Sequence, residues 1–248
     1  MTIQGALAAV QFLTRLPAGR QSSHDPRLAG EAVAWYPLVG GLVGILLALS
    51  AWVFDRWLGL PSGLVSVLCV GIWIAVTGAL HLDGVADCAD AWMGGHDRER
   101  MMEILQDTHC GTGAVLALIL VVVIKMVAVS VLLEQGAWWA LLVTPVVGRT
   151  MLVGVLCGFP YVREQGLGRG LRSHLDVPAI KIGVALGAVL LVLVSLPGFF
   201  AALAGASAAM LLLYFLLIKP LGGATGDVYG AVVEWTELFT LIGLVMVV

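Results

Sequence analysis

Charge is what this sequence has least of. Only 12% of its 248 residues are Asp, Glu, Lys or Arg, about half the ~25% of an ordinary soluble domain. Hydrophobic residues make up 60%, and the mean hydropathy is +1.01. So much apolar surface cannot be hidden inside a globule of this length, so a soluble domain is excluded and lipid must cover part of the chain. A net charge of −3 gives no electrostatic reason to expect a nucleic-acid partner. The four cysteines form no CxxC pair and no zinc-ligand spacing, which argues against disulfides and a thiolate metal site. Cys69 and Cys157 lie in apolar runs and read as small buried thiols. Cys88 and Cys110 fall in an acidic segment, where carboxylates suit hard cations better than thiolate-bound ones. No fixed-period repeat, low-complexity tract or linker divides the chain, so residues 1–248 read as a single domain. The first sixteen residues lack the early positive charge and continuous apolar run of a signal peptide. Ile3, Leu7, Val10 and Leu13 instead predict an amphipathic helix on the membrane or against the bundle.

Long apolar runs are abundant. A hydrocarbon core of roughly 30 Å needs about 20 apolar residues in a helix. Runs of that kind occur near 36–55, 62–80, 113–133, 137–158, 181–197, 198–218 and 229–248. The fold class is therefore all-α: a polytopic transmembrane bundle of about seven spans. The count falls to six if 181–197 is re-entrant or 229–248 inserts only in part. With seven spans, the N-terminal arm and the segments 81–112, 159–181 and 219–228 share one side. They carry Arg15, Arg20, Arg27, Arg98, Arg100, Arg163, Arg169, Arg172, Lys181 and Lys219, ten of the thirteen basic residues. The opposite loops hold only Arg56. This asymmetry predicts that the polar segments face the cytoplasm from an inner membrane.

Acidic residues concentrate in one place. Seven of the sixteen lie between positions 83 and 107. Asp83, Asp87 and Asp90 are spaced i, i+4, i+7, so a helix continuing from the second span aligns them on one face. Three neighbouring carboxylates repel one another unless a cation neutralises them, and oxygen ligands of this kind favour Mg²⁺. Glu103 and Asp107 form another i, i+4 pair that faces the first set if the loop folds back as a helical hairpin. Arg98 and Arg100 serve either as counter-charges or as phosphate ligands. Gly111 and Thr112 open the third span, where free N–H groups and the helix dipole favour an anion.

A second polar motif, Gly222-Gly223-Ala224-Thr225-Gly226-Asp227, precedes a span that holds Glu234 and Glu237. Asp227, Glu234 and Glu237 lie broadly on one helical face. Carboxylates inside an apolar span cost about 2.5–3.5 kcal/mol each, so they line a polar interior and count as functional by default. Arg149 in the fourth span and Lys125 in the third are their candidate partners, Lys125 reading more readily as half of a structural ion pair. The segment from Tyr161 to Gly170 offers glycines for close backbone approach and arginines, Arg163 among them, that suit a phosphate. A basic loop beside anionic lipid fits it nearly as well.

Together these residues resemble the cobalamin synthase family, adenosylcobinamide-GDP ribazoletransferase. The resemblance rests on Phe12-Leu13-Thr14-Arg15-Leu16-Pro17, on Trp35 to Gly40, and above all on His81-Leu82-Asp83-Gly84-Val85-Ala86-Asp87 with Asp90. Asp97 to Arg100, Asp107, Gly111-Thr112, and Gly223 to Asp227 with Gly230 and Glu234 complete it in order along almost the whole chain. The resemblance implies the final assembly of the cobalamin nucleotide loop. Adenosylcobinamide-GDP and α-ribazole (or its 5′-phosphate) give adenosylcobalamin (or its phosphate) and GMP, with Mg²⁺ required. It implies metal binding by Asp83, Asp87 and Asp90, and catalytic roles among His81, Asp83, Asp87, Asp107, Asp227 and Glu234. Substrate phosphate would meet Arg98, Arg100, Gly111, Thr112, Arg149, Arg163 and Thr225. The hydroxyl proton would pass to a free carboxylate or to His81. The lipid bilayer is the expected surrounding, nucleic acid is not an expected partner, and a homo-oligomer is compatible with the sequence. Two other readings compete. A CDP-alcohol phosphotransferase would need an Asp-Gly-x-x-Ala-Arg core that Asp83-Gly84-Val85-Ala86-Asp87 lacks. An ion-coupled transporter would use Arg149, Glu234 and Glu237 at mid-membrane.

Overall fold

The computed structural model describes residues 1–19, 25–163, 166 and 171–248. Arg20 and Arg169, part of the basic asymmetry, and Gly168 and Gly170 of the glycine-arginine segment lie outside them. Every regular element among the described residues is helical. An amphipathic α1 (Ile3–Leu13) precedes α2 (Pro26–Ala32), which runs through a 3-10 turn into α3 (Tyr36–Trp52). Then come α4 (Ser62–Thr77), α5 (Leu80–Gly94), α6 (Arg98–Ile104), α7 (Thr112–Glu134), α8 (Ala140–Gly158) and α9 (Val177–Val194). α10 (Leu196–Leu213) continues through a π-helical turn into the short α11 (Lys219–Leu221), and α12 (Gly226–Val245) closes the chain. Six helical stretches are long and apolar enough to cross a membrane, and the bent pair α4–α5 makes a seventh if counted as one span.

The spans alternate in direction. Near one end, Leu47 of α3 packs in the same cluster as Val65 of α4, Leu132 of α7, Leu141 of α8, Ala201 of α10 and Leu244 of α12. At the other end Val85, Val121, Val155, Leu217 and Val228 share a cluster. Only an up-and-down arrangement brings the end of one helix beside the start of the next in this way. The connections 58–61 and 135–139 lie at the first end. The longer polar segments, with residues 95–111, 159–163, 171–176 and 222–225, gather at the second, called here the polar end. α8 and α12 are the innermost spans. α7 and α9 turn apolar faces outward, with Ile119, Val123 and Val127 on one and Ile182, Val189 and Leu193 on the other exposed. Their backbone polar groups are satisfied within the helix, the condition for a helix that spans a membrane.

α1 folds as expected but with a different inner face. Gly5, Ala9 and Leu13 are buried, while Ile3 and Phe12 point outward. The chain just after it reaches the bundle, where the Arg15 N–H donates to the Val76 carbonyl at 2.6 Å.

The second span departs from expectation at the polar end. It does not run straight into the aspartate segment: α4 stops at Thr77, and α5 leaves at 91° to it. Gly78 (φ 64°) and Ala79 (φ 57°) both take the left-handed conformation. Gly78 does so without a Cβ penalty, whereas Ala79 carries strain of roughly 1–2 kcal/mol. α5 therefore begins as a separate helix across the polar end of the bundle.

Candidate active site

The aspartate face expected on α5 is present. Asp83, Asp87 and Asp90 share one side of a single helix, with Asp83 exposed and Asp87 and Asp90 half-buried. α5 crosses the start of α12 through a glycine contact. A Cβ on Gly84 would stand 2.4 Å from the Asp227 carbonyl oxygen, and one on Gly230 would stand 3.0 Å from that of His81. This closeness sets Asp227 beside the α5 acids, and the carboxylates of Asp227, Asp83 and Asp90 all act electrostatically on Asp87, as does the Arg163 guanidinium.

Asp227 is placed by local chemistry. Thr225 caps α12, its hydroxyl oxygen accepting from the Val228 N–H at 3.3 Å and donating to Asp227 Oδ2 at 3.1 Å. Ala224 pairs with the segment after α8: its N–H donates to the Pro160 carbonyl at 2.9 Å, and the Val162 N–H donates to its carbonyl at 3.0 Å. That pairing delivers Arg163, which binds Asp227 Oδ2 at 2.7 Å and also donates to the Leu105 carbonyl. Arg98 Nε donates to the Leu221 carbonyl at 2.9 Å. The two arginines tie the three polar segments together.

Several expected site residues hold other partners. Both carboxylate oxygens of Asp90 accept backbone N–H groups at the start of α7, from Gly111 at 2.7 Å and Ala114 at 2.9 Å. The α7 N-terminus thus already holds an internal anion, and Thr112 lies exposed beside it. Arg100 forms an exposed pair with Glu103 at 2.8 Å. Asp107 lies beyond the end of α6, so the expected helical pairing with Glu103 does not form. It is exposed and bound to His109, whose hydrogen bonds hold its carboxyl below the usual carboxylate value.

His81, Arg149 and Glu234 lie away from the acidic face. Positions 81 and 83 are about 200° apart on a helix, so His81 points into the bundle, buried, with both ring nitrogens unpartnered among the described residues. Deeper still, Lys125 Nζ meets Glu234 Oε2 at 2.5 Å and Glu237 Oε2 at 2.6 Å, and Arg149 meets Glu237 Oε1. Two cations and two carboxylates neutralise one another in the core. Sequence reasoning named these as partners, but Arg149 is buried beside Glu237 and not at a substrate phosphate. The Gly84–Gly230 crossing was not foreseen. Its signal was the pair of glycines within helices that otherwise carry the motif residues.

Among the described residues no three His, Cys, Asp or Glu side chains gather closely enough to ligate one ion by themselves. The expected three-aspartate metal site is thus not assembled, and Asp90 serves as a helix cap. What the polar end can offer a hard cation is two carboxylates on adjacent turns, Asp83 and Asp87, with Asp227 opposite. That fits Mg²⁺, which is commonly held by one or two carboxylates with substrate phosphates and water completing its shell.

The family description "Cobalamin-5-phosphate synthase" matches residues 5–245. A protein of Pseudomonas entomophila named adenosylcobinamide-GDP ribazoletransferase is 42% identical over 97% of this chain and 98% of its own length. Proteins of the same name from Pseudomonas putida (43%, covering 96% and 97%) and Pseudomonas paraeruginosa (40%, covering 98% of each) are similar. No solved structure matches. With near-complete coverage on both sides, the chain belongs to the cobalamin-5-phosphate synthase family.

Proposed function

We propose that this chain joins adenosylcobinamide-GDP to α-ribazole or its 5′-phosphate, releasing GMP, at the cytoplasmic face of the inner membrane. The observation that carries this reading is the convergence of Asp83 and Asp87 on α5 with Asp227 and Arg163 at the polar end. The reaction breaks a P–O bond of the diphosphate as a ribazole hydroxyl forms a new one, and GMP carries away the leaving oxygen. Such a site must hold the diphosphate, offset its growing charge and orient the hydroxyl.

Asp83 and Asp87 would hold Mg²⁺, which when bound supplies charge neutralisation at the phosphate oxygens. Arg163, fixed by Asp227, keeps its Nε–H without an acceptor among the described residues, a donor suited to a phosphate oxygen. A carboxylate of this set, and not the inward-facing His81, receives the hydroxyl proton. The clustering of the basic segments at the polar end supports its cytoplasmic orientation.

The test is GMP release from the purified protein in liposomes. Both substrates together with Mg²⁺ should yield GMP, and omission of Mg²⁺ or either substrate should abolish it. Release of CMP from a CDP-alcohol instead would replace this reading with lipid phosphotransfer.

A further inference from the structure

Where α4 ends and α5 turns away, the bundle keeps a small polar cavity that the phosphate chemistry does not use. Trp73 and Thr77 of α4, Leu82 of α5, Val122 and Lys125 of α7, and Glu234 of α12 are among the residues that line it. It leaves a water-sized sphere about 10 Å³ of room for its centre, the lower end of what a single molecule needs. A phosphate or a nucleotide is far too large for it.

The polar groups of this cavity are incompletely paired. Trp73 is buried, and its indole Nε1 meets no acceptor among the described residues. A buried donor left in that state carries the full penalty of its lost hydration. Glu234 holds Lys125 through Oε2 at 2.5 Å, and its Oε1 takes no hydrogen bond among those residues. Thr77 Oγ1 shares its hydrogen between the Trp73 and Ile74 carbonyls, at 3.0 and 3.3 Å, which leaves its lone pairs to accept. Lys125 is already satisfied, since Nζ binds both Glu234 and Glu237 and lies 4.4 Å from the centre of the Trp73 ring. The wall therefore offers one donor and two acceptors, the complement of one water. Three hydrogen bonds are the usual number for a buried water.

We infer that this cavity is a binding site for one internal water molecule, which ties the last turn of α4 to the buried ions. The water accepts from Trp73 Nε1–H and donates to Glu234 Oε1 and Thr77 Oγ1. Through it Trp73 and Thr77 join a chain that runs over Glu234, Lys125 and Glu237 to Arg149 of α8, so that four helices share one hydrogen-bonded network. Near its start α4 is already fastened to α7, where the Ser66 hydroxyl donates to the Met126 carbonyl. The water fastens its other end, next to the left-handed pair Gly78 and Ala79. The inference does not depend on which reaction the chain performs.

Magnetic resonance of the detergent-purified protein carrying isotope-labelled tryptophan tests it. The Trp73 indole N–H, assigned by its loss in Trp73→Phe, should show a rotating-frame cross-peak to water of sign opposite to the diagonal. That sign marks direct contact and not proton exchange. Val122→Ile adds a methyl group to the cavity wall. It should displace the water, erase the cross-peak and lower the melting temperature by about 2–4 °C, because the displaced hydrogen bonds find no replacement. A dry cavity predicts the reverse: no water cross-peak in the parent chain, and a Val122→Ile variant that melts at or above the parent, as filling empty space allows. A cross-peak from the Trp73 N–H to detergent methylenes in place of water likewise overturns the site.

Discussion

Asp87 sits at the centre of the acidic group, with Asp83 one turn before it on α5, Asp90 one turn after and Asp227 across the helix crossing. If it holds the cation, Asp87→Asn should lower the rate of GMP release at least a hundredfold, about 2.7 kcal/mol of barrier, while the protein still inserts and folds. Asp90 makes a contrasting case on the same face. Both its oxygens accept backbone N–H groups of α7, and asparagine keeps only one such acceptor, so Asp90→Asn should cost about 1–3 kcal/mol of stability and keep most of the activity that Asp87→Asn loses. Thermal inactivation and initial rates measured on the two variants side by side check this. The aspartate spacing was legible in the sequence because helical period alone decides which residues share a face. The different fate of Asp90 was not legible, because its partners arrive on α7 after an intervening segment. Deeper in the bundle, Glu237→Met should strongly destabilise the protein by leaving the buried Arg149 without its carboxylate, a loss of about 3–5 kcal/mol. Adding Arg149→Met should recover much of this, since Lys125 and Glu234 still neutralise each other. Melting in detergent reads both.

Among the elements, α5 is the one whose placement decides the site. Its separation from α4 depends on two consecutive left-handed residues, Gly78 and Ala79. An apolar run that reaches residue 80 gives no sign of such a bend, because hydropathy reports burial and not direction. The glycine crossing then sets how near the α5 acids come to Asp227. Gly84→Val would place side-chain atoms where only 2.4 Å separates a Cβ from the Asp227 carbonyl oxygen, so the helices must part. Activity should fall at least tenfold, and a cross-link between cysteines placed at 83 and 227 should form less readily than in the parent background. Retained activity and cross-linking would show that the crossing tolerates separation.

At the scale of the whole molecule, the up-and-down spans put the polar segments at one end, and orientation can be read with a native side chain. Cys110 is exposed at that end, whereas Cys69 and Cys88 are buried and Cys157 is half-buried. In intact cells Cys110 should react with a membrane-permeant maleimide and resist an impermeant one added outside, and labelling by the impermeant reagent would reverse the orientation. Composition and apolar run length by themselves determined that this is a membrane bundle, because no soluble globule of this size can bury so much apolar surface. Motif order along the chain likewise identified the family that the comparisons confirm. Tertiary structure alone decided that His81 turns inward, that Arg98 and Arg163 clasp the polar segments, and that Lys125 meets carboxylates 109 and 112 residues away. The physical reason is that periodicity governs neighbours along one helix, whereas the partner that neutralises a charge is chosen by how distant helices cross.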